Sequence, residues 1–208
     1  MDSLTKTKGF SYFVESLWYN NATFSMVLGI CSALAVTTNL ANAFVMGLSV
    51  TVVLVISSTL LALIRNIIPD RVRIITFMLI ISTFVIVVDF VLKIYLPGIS
   101  TTLGPYVGLI ITNCILMGRA EAFAVKHPPW HSFLDAAGSG LGYLGSIMII
   151  ASVRELLGAG TLFGISVLGP SWVGWGLLMI PSGAFFVLGF YIMVANTVQK
   201  RFINRKGA

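Results

Sequence analysis

Long apolar stretches separated by short polar breaks run through most of the chain. A helix needs roughly 20 residues to cross about 30 Å of hydrocarbon, and by that measure the pattern predicts six membrane segments. These segments are Ala22–Val36, Leu40–Ile64, Val72–Leu96, Leu103–Gly118, Ala136–Val153 and Trp172–Val198. The pattern therefore predicts an all-α integral membrane protein, with residues 1–20 ahead of the first segment and a basic tail at 199–208.

The amino-acid composition is typical of a protein that is embedded in a lipid bilayer. Of the 208 residues, 57% are hydrophobic and 10% are charged, and the mean hydropathy is +0.98. A soluble domain carries charge on about a quarter of its residues, which excludes that class, and so apolar a chain is not disordered. The first 20 residues contain Asp2 and Glu15 without a compact apolar core, so we expect no cleavable signal. The longest polar connection, Arg119–Asp135, is too short for a soluble domain.

The basic residues are interpreted as topology signals and not as a nucleic-acid surface. Positive charge collects in cytoplasmic loops, and we therefore expect both termini in the cytoplasm. Trp172 and Trp175 then lie at the outer boundary, where indole rings are favoured. The outer side holds Lys93 and Arg154. The inner side holds Lys6, Lys8, Arg65, Arg71, Arg73, Arg119, Lys126, Lys200, Arg201, Arg205 and Lys206.

The six segments divide into two triplets, residues 21–98 and 99–198. Because three is odd, the second triplet enters the membrane from the opposite side, which predicts two inverted three-helix repeats. The first segment of each triplet is short and reaches only about 22 to 24 Å as a helix. Short or broken segments at matching positions point to a functional site near the midplane. Each short segment contains one of the two cysteines, Cys31 and Cys114.

The depth of the two cysteines depends on whether the short segments are complete. As complete spans they would separate Cys31 and Cys114 by about 13 Å of depth. As segments that break near the midplane they would bring the thiols together, with Thr37, Thr38, Asn39, Thr112 and Asn113 available to satisfy the backbone. Converging thiolates fit a metal or iron–sulfur site. A [2Fe–2S] cluster requires four thiolates, so a partner chain would have to supply two. The alternative is that each cysteine is a small apolar side chain.

The sequence around the cysteines resembles a known family. Residues 28–38, 140–143 and 154–163, with the motif Asn-Cys-x-x-x-Gly-Arg-Ala-Glu-Ala-Phe at 113–123, resemble the D subunits of the Na⁺-translocating NADH:quinone reductases. The E subunits of the Rnf-type electron-transport complexes are related, and Ser32-Ala33 after the first cysteine favours the reductase.

The resemblance implies a function and a set of partners. Cys31 and Cys114 match two ligands of a [2Fe–2S] cluster shared with the homologous E subunit of the reductase, which gives two more cysteines. Electrons would arrive from the NADH-oxidising subunit, which carries FAD, and continue through FMN and riboflavin to quinone, coupled to Na⁺ export. These flavins belong to other subunits of the A, B, C and F set. The implied location is the bacterial inner membrane.

Two further features have competing interpretations. Asp89 and Lys93, one helical turn apart, form either part of a Na⁺ path or an i,i+4 ion pair. Gly140–Gly145 fits G-x-G-x-x-G, but no strand precedes it, so we expect close helix packing through Gly138 and Gly142 rather than NADH binding.

An inverted-repeat transporter is the main alternative function, although the first break has no acidic coupling residue. A structural subunit with inert cysteines is the other.

Charged and histidine residues also follow the second cysteine segment. Arg119 is expected to pair with Glu121 and to cap the helix end. His127 and His131 have the spacing of a metal site, but Pro128 and Pro129 prevent a helix through both. With Lys126, these residues are expected to form a solvated loop or a docking surface for the NADH-oxidising subunit.

Overall fold

The computed structural model describes residues 28–95, 104, 106–163, 165–166, 174 and 176–206. The helices are α1 (Ile30–Val36), α2 (Leu40–Ile64), α3 (Arg73–Tyr95), α4 (Cys114–Arg119), α5 (Pro129–Gly158), α6 (Gly176–Met179) and α7 (Pro181–Lys206). A 3₁₀ turn, Asp70–Val72, precedes α3, and a π-helical turn, Ala120–Ala124, continues α4. Two short strands, β1 (Thr161–Leu162) and β2 (Ile165–Ser166), pair antiparallel after α5.

Five helical stretches are long and apolar enough to cross a membrane. They are Leu40–Ile64, Arg73–Tyr95, Tyr106–Ala124, Pro129–Gly158 and Pro181–Val198. The prediction of a helical, multi-pass membrane protein is therefore confirmed. The second and third predicted segments match α2 and α3 closely. The predicted first segment is described only from Leu28 onward, and residues 1–20, Trp172 and Trp175 lie outside the described residues.

The predicted polar connection at Arg119–Asp135 is wrong. Helical structure continues to Ala124 and resumes at Pro129, so α5 also extends beyond the predicted segment Ala136–Val153 at both ends. Proline is suited to the first position of a helix, where its missing N–H needs no partner. Pro128 is extended, with φ −65° and ψ 157°, and Pro129 begins the helix. His131 therefore lies on α5 whereas His127 precedes it, in agreement with the expectation that no helix joins them.

The last predicted segment, Trp172–Val198, is divided in two. The short helix α6 ends at Met179 and α7 begins at Pro181, because proline cannot continue an α-helix from the preceding turn. At its other end α7 runs on to Lys206, so helical backbone occupies most of the predicted basic tail.

The centre of the described structure is the packing of α2 against α5. A Cβ atom at Gly140 would lie 2.6 Å from Thr51 Cγ2 and 3.1 Å from Thr51 Cα, so α5 approaches the α2 backbone closely at this glycine. Gly47 on α2 in turn faces Leu144 and Ile147. This packing confirms that the glycine-rich stretch is a helix-packing surface. The close approach occurs at Gly140, between the predicted Gly138 and Gly142, which are also buried.

The helices α3 and α7 lie at the periphery. Only 17% of the apolar window of each is buried, against 56% for α2 and α5. The buried residues of α3 follow one face at helical spacing and are Phe77, Ile81 and Val85. The remaining apolar surface of α3 and α7 faces outward and suits lipid or other membrane subunits.

Candidate functional site

The first cysteine follows a sharp change in backbone direction. Gly29 has φ 85° and ψ 11°, in the left-handed region that glycine adopts without strain, and α1 begins immediately after it. A Cβ at this position would lie 2.8 Å from Cε2 of Tyr143. Both the backbone conformation and the neighbouring ring therefore require glycine here. Cys31 is the second residue of the short helix α1.

The second cysteine follows a corresponding interruption. Helical residues 106–111 end at Thr112, and Asn113 is extended, with φ −69° and ψ 122°. The side-chain oxygen of Asn113 accepts a hydrogen bond from the Ile115 N–H at 3.2 Å, which caps α4. Cys114 is the first residue of α4. The predicted break of this segment is therefore present.

The two interruptions bring the cysteines together. The Gly29 N–H donates a hydrogen bond to Cys114 Sγ at 2.8 Å, and the thiols of Cys31 and Cys114 are close enough to interact directly. Of the two arrangements that the sequence left open, the chain adopts the one in which the thiols converge. Cys31 is exposed and Cys114 is half-buried. The thiols thus form a pair that opens onto the surface of the subunit.

Behind this pair lies a buried hydrogen-bond network. Ser32 Oγ lies 2.6 Å from the hydroxyl of Tyr143 and donates to the Gly29 carbonyl at 3.0 Å. Asn113 Nδ2 donates to Ser32 Oγ at 3.2 Å. Ser32, Asn113 and Tyr143 are each at most 1% exposed. The network therefore joins both interruptions to α5.

Polar residues satisfy the backbone between α1 and α2, as the sequence predicted. Asn39 accepts a hydrogen bond from the Ala41 N–H at 3.0 Å and caps α2. Thr37 donates its hydroxyl to the Ala33 carbonyl at 2.5 Å. The end of α1 and the start of α2 are therefore closed by their own side chains.

Arg154 and Glu155 on α5 also form hydrogen bonds to the connection between α1 and α2. Arg154 is fully buried and donates to Thr37 Oγ1 at 2.5 Å, while Glu155 accepts the Leu40 N–H at 2.6 Å. The other acceptors of the guanidinium are the carbonyls of Leu34, Leu178, Met179 and Ile180. The prediction placed Arg154 among the charges of the outer side, but the structure buries its side chain between helix ends.

The predicted pairing of Arg119 with Glu121 is wrong. Arg119 is 4% exposed; it donates to Asp135 Oδ1 at 2.8 Å and to Ser139 Oγ at 2.6 Å. Glu121 instead forms a 3.0 Å ion pair with Arg73 at the start of α3. Residues two apart on a helix point in different directions, which explains why the nearest acidic residue in the sequence is not the partner. Arg119 consequently belongs to the interior and not to a solvated loop.

The remaining candidate residues lie elsewhere. Asp89 forms an i,i+4 ion pair with Lys93 at 2.6 Å, and the Asp89 side chain is 19% exposed, in agreement with one of the two predicted arrangements. The ring of His127 stacks on Phe123 with a 3.9 Å centroid distance. No group of three or more His, Cys, Asp or Glu side chains suited to a metal ion occurs in the part of the chain that the structure describes.

Sequence reasoning missed three of the features around the cysteines. The left-handed Gly29, the role of Tyr143 and the burial of Arg154 had not been identified. The available signal was the occurrence of Arg154 and Glu155 together inside an apolar helical stretch, since intramembrane charges are rare unless they have a specific role. The position of Tyr143 next to a glycine-rich stretch gave no comparable signal.

Similarity to known proteins extends over most of the chain. The sequence model of a family described as "Rnf-Nqr subunit, membrane protein" matches residues 9–192. The D subunit of the Na(+)-translocating NADH-quinone reductase of Haemophilus influenzae is 51% identical over 183 residues, which cover 86% of this chain and 88% of the relative. The D subunits of Tolumonas auensis and Aeromonas hydrophila are each 50% identical, over 86% and 90% of this chain and 86% and 91% of their own lengths. The chain therefore belongs to the Rnf-Nqr family of membrane subunits.

Proposed function

We propose that the chain is a membrane subunit of a Na⁺-translocating NADH:quinone reductase and holds half of a [2Fe–2S] cluster through Cys31 and Cys114. A homologous E subunit supplies the other two thiolates. The observation that carries the proposal is the convergence of two thiols from two separate interruptions of the chain. The relatives named as D subunits, each about half identical to this chain, support the choice of complex.

The donor set fits one half of such a cluster. Iron–sulfur clusters are held by cysteine thiolates, and a [2Fe–2S] cluster uses four of them. This chain has two cysteines in total, and Cys31 is exposed, so its sulfur is accessible to a partner that docks on the same face. When bound, the cluster supplies a one-electron relay inside the membrane. The role of this chain is to hold two sulfurs at a fixed distance and depth.

We also propose an arrangement for the rest of the complex. Residues 21–98 and 99–198 form the two inverted repeats, and both termini face the cytoplasm of a bacterial inner membrane. The A, B, C and F subunits carry the flavins and the NADH-oxidising centre. A relay between the membrane faces shortens each electron-transfer distance, and the energy released drives Na⁺ export by the complex. Asp89 remains a candidate for the Na⁺ path, although it is paired with Lys93.

Replacement of either cysteine tests the proposal. The variants Cys31→Ala and Cys114→Ala, each in the intact complex, are expected to remove the electron paramagnetic resonance signal of the shared cluster and to abolish quinone reduction. Iron and acid-labile sulfide, counted per copy of this chain, are expected to fall by the content of one [2Fe–2S] cluster. NADH oxidation by an artificial acceptor at the NADH-oxidising subunit is expected to persist, because that reaction does not pass through the cysteines.

A matched control is Ser49→Ala on α2. Ser49 is a small buried residue whose hydroxyl bonds only its own helix, at the Val45 carbonyl, so its replacement is expected to leave cluster content and turnover unchanged. Wild-type iron content and quinone reduction in both cysteine variants would contradict the proposal and would favour the interpretation of the cysteines as apolar side chains.

A further inference from the structure

The hydroxyl of Ser32 has all of its hydrogen-bonding capacity occupied. A serine hydroxyl has one proton to donate and two lone pairs to accept. Ser32 Oγ donates to the Gly29 carbonyl at 3.0 Å and accepts from Asn113 Nδ2 at 3.2 Å. The remaining contact, 2.6 Å to the Tyr143 hydroxyl, must then have Tyr143 as the donor. The direction of each bond in the network is thereby fixed.

Gly29 is held at both of its backbone polar groups. Its carbonyl accepts from Ser32 Oγ at 3.0 Å and from the Ala33 N–H at 3.1 Å, while its N–H points to Cys114 Sγ at 2.8 Å. The ring of Tyr143 packs against its Cα, where an added Cβ would lie 2.8 Å from Cε2. Glycine has the most conformational freedom of any residue. The orientation of the Gly29 N–H toward Cys114 Sγ therefore depends on the contacts that fix the Gly29 backbone.

Resting on the proposed function, we propose that Tyr143 is a positioning residue that holds the Gly29 N–H on the sulfur of Cys114 and thereby raises the reduction potential of the cluster. An N–H donor to a ligating sulfur stabilises the more negative, reduced form more than the oxidised form. Hydrogen bonds to the sulfurs are among the factors that set cluster potentials. Tyr143 acts through Ser32 and Gly29 and does not itself ligate iron.

Tyr143 makes two separate contributions at this site, one through its ring and one through its hydroxyl. Tyr143 lies on α5, 111 residues from Ser32, and reaches from the central helix pair to both interruptions. Its ring packs beside Gly29, and its hydroxyl is one of three hydrogen-bond partners that hold Ser32 Oγ. The substitution Tyr143→Phe separates these contributions because it keeps the ring and removes the hydroxyl.

The test is a redox titration of the intact complex followed by electron paramagnetic resonance. In Tyr143→Phe we expect wild-type iron content and a lower midpoint potential. At the wild-type midpoint, the ratio of reduced to oxidised cluster is expected to fall about threefold to fivefold, as expected when roughly one hydrogen bond is weakened. Ser32→Ala is expected to shift the potential in the same direction, because it releases the Gly29 carbonyl from the network.

The matched control is Tyr191→Phe on α7, which also removes a tyrosine hydroxyl from the membrane region but does not touch Gly29, Ser32 or Asn113. It is expected to leave the midpoint unchanged. The inference is overturned if the cluster of Tyr143→Phe and Ser32→Ala titrates at the wild-type potential. Absence of the cluster from the wild-type complex would instead refute the proposed function.

A measurement on the wild-type complex tests the Gly29 hydrogen bond, on which the inference depends, even if a variant fails to load the cluster. With ¹⁵N-labelled glycine, the reduced cluster is expected to show a weak hyperfine coupling to a peptide nitrogen, from the Gly29 N–H to the Cys114 sulfur. A reduced cluster without any such coupling overturns the inference, whatever the variants do.

Discussion

Charged side chains inside this apolar subunit pair with residues that are distant in sequence. Arg119 bonds Asp135 and Ser139 across the α4–α5 connection, and Arg154 binds the carbonyl ends of two other helices. A buried charge without partners is costly in a low-dielectric interior, so the folded chain provides partners for each. The sequence indicates that such charges need partners, but it does not identify them, because the choice depends on which helices pack together.

The buried ion pair Arg119–Asp135 leads to a prediction about stability. Both side chains are at most 6% exposed, so Asp135→Asn removes the carboxylate from a buried ion pair and is expected to cost about 3–5 kcal/mol. We expect a lower yield of assembled complex and a clear drop in its thermal midpoint. Removal of both charges together, in Arg119→Met with Asp135→Leu, is expected to recover part of the loss.

The surface pair Arg73–Glu121 provides the control. The Glu121 side chain is 53% exposed, and exposed pairs contribute less than about 1 kcal/mol, so Glu121→Gln is expected to leave the thermal midpoint nearly unchanged. A wild-type midpoint in Asp135→Asn would show that the buried pair does not stabilise the subunit.

At the scale of elements, the sequence indicated that both cysteine segments are short or broken, but it did not locate the interruption at Gly29. The shortness of both cysteine segments followed from counting apolar residues, and the positions of Thr37 and Asn113 indicated polar breaks. The left-handed conformation of Gly29 and its contact with Tyr143 are tertiary features. They depend on a helix more than a hundred residues further along the chain, which local pattern does not reveal. For the same reason the prediction treated Arg154 as a flanking charge.

Arg154 stabilises the connection between α1 and α2. Its guanidinium holds Leu34 and Thr37 at the end of α1, and cations stabilise the carbonyl ends of helices. In Arg154→Met we expect amide hydrogen exchange over residues 34–40 to accelerate about tenfold or more, because hydrogen bonds to charged groups are lost. In Arg154→Lys we expect an intermediate rate, since lysine keeps the charge but not the planar set of donors.

Ser152→Ala on the same helix is the control for exchange, because Ser152 bonds only the Met148 carbonyl of α5 itself. Its exchange rates over residues 34–40 are expected to equal those of the wild type. If Arg154→Met exchanges at the wild-type rate as well, the connection is held by Thr37, Asn39 and Glu155 without a contribution from Arg154.

At the scale of the whole molecule, the subunit exposes surfaces that suit contact with other membrane subunits. Its thiol pair opens onto the surface, and two of its long helices bury only a small part of their apolar windows. The sequence predicted the membrane class and the need for a partner, because composition and cysteine number are properties of the chain alone. The sequence of this chain does not identify the face that contacts the partner, because that contact also depends on the surface of the second subunit.

The orientation of the whole subunit is the remaining prediction. Arg65, Arg71 and Arg73 lie in or beside the connection between α2 and α3, and basic connections stay on the cytoplasmic side. Arg119 and Arg154 are both buried, so neither counts as a loop charge, and the remaining basic residues still lie mainly on this side. A green fluorescent protein fused after Ala208 is therefore expected to fluoresce, and alkaline phosphatase fused after Gly98, beyond the far end of α3, is expected to be active. Phosphatase activity from a fusion after Ala208 would reverse the proposed orientation.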